Sequence, residues 1–119
     1  MYIVDLYTPP NSKDLIKKIL DDSSNEQRSK ILKAIATLEE FGISRDIPNL
    51  RKLSGTKLWE YRILGKDNIR LILVSIINGR IVVLNIFVKK SQKTSIKELK
   101  TSNERYKIML DRLTSNKIS

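Results

Sequence analysis

Asn78-Gly79, set between the apolar runs Ile69–Ile77 and Arg80–Val88, constrains this chain more than any other pair of residues. Asn-Gly is the preferred centre of a type I′ turn, whose backbone twist matches that of the two strands it joins. A two-residue turn pairs Ile77 with Arg80, and that register then pairs Ile72 with Asn85 and Arg70 with Phe87. One face of the hairpin carries Ile69, Leu71, Leu73, Ile77, Val82, Leu84, Ile86 and Val88 and must be covered by helices. The other carries Ile72, Val74, Ile76, Ile81 and Val83 near the turn. At its far end that face gathers Arg70, Asn85, Phe87 and Lys89, so that guanidinium, amide, aromatic ring and ammonium converge.

A third strand, Leu58–Leu64, precedes the hairpin. Glu60 and Arg62 share one of its faces, but the connection decides which. A four-residue loop, Gly65–Asn68, pairs Leu64 with Ile69 and turns Arg62 away from Arg70. A five-residue loop or a bulge brings Glu60 and Arg62 round to it. Upstream, Met1–Tyr7 alternates as a strand and Thr8-Pro9-Pro10-Asn11 breaks it. Ser12 caps a short helix with Leu15, Ile16, Ile19 and Leu20 on one face. Ser24 and Gln27 form a capping box for a second helix, with Ile31, Leu32, Ile35, Leu38 and Phe41 as its apolar stripe and Gly42 as its C′ residue. Residues 43–57 read as a loop. A last helix opens on Ser95 and Glu98 and turns Leu99, Tyr106, Met109, Leu110 and Leu113 to the core. The expected architecture is α+β: an N-terminal strand, a two-helix hairpin, a three-stranded antiparallel meander and a C-terminal helix. It forms a single domain over residues 1–113, with 114–119 as a disordered tail.

Charge points to the partner. Residues 1–50 hold 7 basic and 8 acidic groups, residues 51–100 hold 12 and 3, and residues 101–119 hold 4 and 2, so the net +10 comes almost wholly from the middle segment. Lysine-rich surfaces also serve solubility. Here, though, Lys89, Lys90 and Lys93 follow directly on an apolar strand that fixes them, as a polyanion site requires. The chain contains no Cys and no His, which removes disulfides, thiolate catalysis and the usual neutral-pH proton shuttle. Acid–base chemistry falls to Glu, Asp, Lys, Arg or Tyr with shifted pKa values. No Asp/Glu cluster suggests a metal site, and neither a metal nor a cofactor is expected. No apolar run approaches the ~18 residues of a membrane span, and the N-terminus has no basic region followed by an apolar stretch, so a cytoplasmic protein without a membrane partner is expected.

The bland readings stand beside these. An aromatic in a strand is usually core, but Phe87 faces Arg70 and precedes Lys89, so a base-stacking role stands level with the core one. Arg70 has Asp67 or Glu60 within sequence reach as an ion-pair partner, although a surface pair is worth only ~0–1 kcal/mol.

The element order, together with Leu53-Ser-Gly-Thr-Lys-Leu-Trp-Glu-Tyr-Arg-Ile63, Asn68-Ile-Arg-Leu71 and Phe87-Val-Lys-Lys-Ser-Gln-Lys-Thr94, resembles the RelE/HigB superfamily of toxins across nearly the whole chain. The nearest resemblance is to its phage-derived HigB-like branch. It implies a RelE-like fold and the toxin of a type II toxin–antitoxin system: an endoribonuclease that cleaves mRNA, commonly on the ribosome. It also implies a cognate antitoxin, of the helix-turn-helix DNA-binding type. By position, Arg62 and Arg70 match basic strand residues of RelE-type sites. Glu60 falls where RelE has a lysine, and Lys90 matches an arginine after the final strand. Asn85 stands where this branch often has His, and Ile96 near a RelE tyrosine.

The resulting expectation is a metal-independent attack of an RNA 2′-hydroxyl on the adjacent phosphate. Glu60 acts as base, Arg62 orients it, Arg70 and Lys90 stabilise the phosphorane, and Lys89 or Lys90 protonates the leaving oxygen. Phe87 and Asn85 face the RNA, with Lys52, Lys57, Lys89, Lys93 and Lys97 on flanking phosphates. The rival is a non-catalytic nucleic-acid- or protein-binding module on the same scaffold.

Overall fold

The computed structural model describes residues 1–10, 15–89 and 96–118. Its elements are β1 (Ile3–Leu6), α1 (Leu15–Asp22), α2 (Asn25–Phe41), β2 (Leu50–Lys52), β3 (Trp59–Ile63), β4 (Ile69–Ser75), β5 (Arg80–Val88) and α3 (Ile96–Ile118). The architecture is the expected α+β, but the sheet is larger than a meander plus one strand. Five strands lie in the order β1-β5-β4-β3-β2, with β1 parallel to β5 and the remaining pairs antiparallel. β2 emerges from the stretch read as loop, where Asn49 (φ 68) turns the chain back along β3.

The β4–β5 hairpin reaches the expected register by an unexpected route. Asn78 (φ 62, ψ 34) and Gly79 (φ 71) are both left-handed, as a type I′ turn demands, and the Arg80 N–H donates to the Ile77 carbonyl. The ladder, however, begins one residue earlier than expected: the Ile76 N–H donates to the Arg80 carbonyl at 2.8 Å and Ser75 pairs with Ile81. This leaves one extra residue on the β4 side. Between Ile72 and Leu73 the register shifts back, because Leu84 is an extra residue on β5. The two irregularities cancel, so Ile72 pairs with Asn85 and Arg70 with Phe87. Between them the register differs from expectation. Val83 now pairs with Leu73 and Val82 with Val74, so these two valines exchange faces. Ile77, expected under a helix, is 60% exposed on the turn.

The connection from β3 to β4 is the five-residue one. Ile63 pairs with Ile69 and Arg62 with Arg70, and Gly65 and Asn68 take positive φ to close it. Glu60 and Arg62 therefore share a face with Ile72 and Arg70.

α2 starts at its capping box, with Ser24 and Gln27 satisfying each other's backbone N–H groups, and ends where the Gly42 N–H reaches the Leu38 carbonyl. Gly42 (φ 71) is also where Tyr2 crosses, and a Cβ there would lie 2.5 Å from the tyrosine Cζ. The buried stripe of α2 is Ile31, Ala34 and Leu38, with Ile35 packed beside it. Leu32 and Phe41, expected in that stripe, are half exposed. Leu110 of α3, expected in the core, is 39% exposed. α3 runs on to Ile118, through the stretch that composition reads as a disordered tail.

Near the turn both sheet faces are covered. α3 lies across the side of Val82, Asp5 and Tyr7, lining one groove with them through Met109, Arg112 and Leu113. α1 and α2 contact β5, β1 and β3 and cover the opposite side, where Leu71, Leu73 and Val83 are wholly buried. Ser12 and Ser95, the expected helix caps, lie outside the described residues.

Candidate nucleic-acid interface

The α3 side of the sheet is not apolar throughout. Reading across β2, β3, β4 and β5, one row of ladder partners is Arg51, Glu60, Ile72 and Asn85. The next row outward is Arg62, Arg70 and Phe87. Alternation brings Lys89 to the same side one step further, where its N–H extends the ladder by donating to the Asn68 carbonyl at 2.9 Å. α3 meets this face at Asn85 through Glu98, in the helix's first turn, so the Arg62–Arg70–Phe87 row lies just past the start of the helix.

Glu60 is 0% exposed. Its Oε1 accepts from Arg51 Nη2 at 3.2 Å and from Arg51 Nε at 3.3 Å. Arg70, 3% exposed, donates through Nη1 to the Ile69 carbonyl at 3.2 Å. The Nε atoms of Arg62 and Arg70 are both buried without a hydrogen-bond partner among the described residues. Among the described residues, Arg51, Arg62, Arg70 and Lys89 set four positive charges around the negative charge of Glu60, an excess of three. Burial is the main reason the Arg70 pKa is lowered. The Glu60 carboxylate opposes that shift, and Arg62 and Arg51 add to it. The Lys89 ammonium is also held below its ordinary pKa, first by burial and then by Arg70, Arg51 and Arg62, again against Glu60. Desolvated like charges crowded over one carboxylate form a site that a phosphate would complete.

Asn85 lies opposite Ile72 as expected, and its amide is engaged within the protein. It is 4% exposed, its Nδ2 donates to Glu98 Oε2 at 2.8 Å, and its Oδ1 accepts from Arg105 Nη1 at 3.3 Å. The same Arg105 nitrogen donates to the Leu84 carbonyl at 2.7 Å, satisfying the bulge. The amide is thus occupied in fastening α3 to the sheet. Glu98, read as half of a capping box, supplies its carboxylate to that fastening. Arg105 also lies over the Tyr7 ring at 5.8 Å, and its own pKa is lowered by burial against the pull of Tyr7 and Glu98.

Phe87 is half-buried against the core and opposite Arg70, so it borders the arginine pair with part of its ring. Lys52 and Lys57 are exposed and line a cleft between the β2–β3 turn and α3. Lys97 is exposed in the first turn of α3. Lys90 and Lys93 lie outside the described residues.

Arg51 and Arg105 were missed by reasoning from sequence. Arg51 sits in a strand too short to show alternation, and Arg105 finds its partners 20 and 21 residues away. Among the described residues no three His, Cys, Asp or Glu side chains gather as metal ligands, and no helix is long and apolar enough to cross a membrane.

No curated relative matches the chain. The family described as phage derived protein Gp49-like (DUF891) matches residues 18–107. That span runs from α1 to the middle of α3 and contains the whole β2–β5 sheet with its arginine pair. The chain therefore belongs to the phage-derived Gp49-like family, a RelE/HigB-like family associated with the toxins of toxin–antitoxin systems.

Proposed function

We propose that this chain is the toxin of a type II toxin–antitoxin pair and acts as an endoribonuclease on mRNA, engaging it on the ribosome and so halting translation, until a cognate helix-turn-helix antitoxin silences it. The observation that carries this reading is the Arg62–Arg70 pair: two guanidinium groups directly opposed across β3 and β4, each with a buried Nε lacking a partner among the described residues. Opposed like charges destabilise a sheet, so an anion that bridges them gains what the fold has lost.

The chemistry follows from what this face offers. A ribose 2′-oxygen attacks the neighbouring phosphorus, the bond to the 5′-oxygen breaks, and the products are a cyclic phosphate and a free 5′-hydroxyl. The phosphorane formed on the way concentrates negative charge on oxygens that Arg62 and Arg70 are positioned to contact, and such preorganised donors act most strongly where water is excluded. Lys89, its pKa lowered, is the acid: it protonates the departing 5′-oxygen, while the 2′-hydroxyl proton leaves to water. Glu60 is assigned a different part from that of a base. Wholly buried and ion-paired with Arg51, it holds the cations together and lies too deep to take a proton from a ribose. Lys90, next to Lys89 in sequence, and Lys93, four residues on, add positive charge to this part of the chain.

A second reading, a non-catalytic RNA- or protein-binding module, draws support from that same burial of Glu60, which leaves Lys89 as the proton-transfer group of the described face. Incubating the purified protein with mRNA, alone and in a translating extract, and mapping 5′-hydroxyl and cyclic phosphate ends separates the two. Cuts that vanish in Arg70→Ala support the enzyme; RNA bound intact in both settings supports the module.

A further inference from the structure

Some distance from the arginine row, on the same side of the sheet, a second cationic concavity lies between the β2–β3 turn and α3. Its lining includes Lys52, Thr56, Lys57, Asn103, Tyr106 and Lys107, and no carboxylate contributes. The turn is internally braced. Leu53 N–H donates to the Leu58 carbonyl at 2.9 Å and Thr56 N–H to the Leu53 carbonyl at 3.2 Å. The Thr56 hydroxyl donates to the Leu53 carbonyl at 2.9 Å and accepts from the Leu58 N–H at 3.0 Å. Leu58 is fully buried and anchors the turn in the core. Lys57 is thus presented from a fixed loop. On α3, Asn103, Tyr106, Lys107 and Leu110 recur at helical spacing and form one face towards it. Tyr106 is half-buried and packs against the core, which fixes its ring.

We propose that this cleft is a subsite for single-stranded RNA beside the cleavage point. Lys52, Lys57 and Lys107 take backbone phosphates, Tyr106 stacks on a base, and Asn103 reaches the base edge. The proposal rests on the endoribonuclease reading above and extends it along the strand. Three ammonium groups around a fixed aromatic ring are the combination that binds unpaired nucleotides, whereas an acidic peptide would have no use for the ring and the amide together. β3 leads from the turn towards the arginine row: from Leu58 to Arg62 is four residues, roughly 13 Å at ~3.3 Å per residue, so a short RNA can span both.

The test uses the full chain and fluorescein-labelled RNA carrying 2′-O-methyl groups throughout, so that binding is read without cleavage. A dinucleotide and an octanucleotide are compared by anisotropy across a salt series. Lys57 and Lys107 are exposed, so Lys57→Ala/Lys107→Ala is expected to fold normally. It should weaken the octanucleotide by about tenfold at low salt and flatten the log–log salt slope by about 1.4, two phosphates at about 0.7 each. Dinucleotide binding should be unchanged. Tyr106→Leu, which keeps the apolar packing, should weaken the octanucleotide alone. Lys17→Ala/Lys18→Ala, on exposed positions of α1, removes the same charge from the far side of the sheet and should leave both affinities unchanged.

Wild-type octanucleotide affinity in the Lys57/Lys107 variant, or an equal loss in the Lys17/Lys18 control, overturns the subsite. Cleavage is scored separately with unmodified RNA. A wild-type protein that binds the octanucleotide through this cleft yet leaves natural mRNA uncut both alone and in a translating extract would overturn the endoribonuclease reading while the subsite stood.

Discussion

Arg62 and Arg70 are direct cross-strand partners, and both keep a buried Nε without a partner among the described residues. An arrangement that sets like charges opposite each other and leaves polar atoms unsatisfied is unfavourable for folding. Its persistence is intelligible if the site is built for an anion.

The first prediction follows from that cost. Arg70→Met, which fills a similar volume without charge, should raise stability by about 1 kcal/mol or leave it level, while RNA cleavage falls by about 10²–10³-fold, the usual effect of removing one transition-state donor. Thermal unfolding and a cleavage assay on the same preparation check it. A loss of stability in step with the loss of cleavage would mean that Arg70 supports the fold and not the chemistry.

Glu60 is expected to behave in the opposite sense. It is the one carboxylate among Arg51, Arg62, Arg70 and Lys89, and it is fully buried. Glu60→Gln keeps the shape and removes the counter-charge, so the variant should lose on the order of 3 kcal/mol, as when one member of a buried pair is neutralised. Arg51→Ala should cost less than about 1 kcal/mol, because the arginine side chain is 56% exposed and its charge is screened. Urea midpoints of the two variants decide this, and equal losses would refute the asymmetry.

The difference between these two residues shows how far sequence reasoning reaches. Strand alternation puts Glu60 and Arg62 on one face, but it says nothing of depth, and the depth of Glu60 is what favours a counter-ion over a base in the reading proposed above. The Asn78-Gly79 turn and the pairing of Arg70 with Phe87 were legible because turn chemistry is local. The exchange of Val82 and Val83 was not, because the bulge at Leu84 has its carbonyl satisfied by Arg105, a residue from another element. β2 escaped notice because three residues, Leu50–Lys52, cannot display a period, and it took with it Arg51, the ion-pair partner of Glu60.

A pH prediction comes from Lys89, whose pKa in the folded protein lies below its ordinary value of 10.5. A lysine shifted down binds fewer protons folded than unfolded between those two values, so stability rises with pH across that window. The penalty is fully present below the folded pKa and is relieved as the pH climbs through it towards 10.5. Lys89→Met should therefore flatten the alkaline limb of the stability curve and raise stability at neutral pH. An unchanged limb in the variant would show that the rise belongs to other groups.

Arg105 provides the last prediction, because it ties the bulge to the helix. Its Nη1 serves both the Leu84 carbonyl and the Asn85 Oδ1, while Asn85 in turn donates to Glu98. Arg105→Met keeps much of the side-chain volume but leaves the Leu84 carbonyl without that donor inside the protein and Glu98 without its nearby cation, so a loss of about 2–3 kcal/mol is expected. Asn85→Asp should also destabilise, since it sets a second carboxylate against Glu98. In Arg105→Met the same Asn85→Asp change should cost still more, because the cation that bonds to residue 85 has gone. A double-mutant cycle measures the coupling. Strictly additive effects would mean that Arg105 and Asn85 support α3 independently, and that the bulge holds its register without the helix.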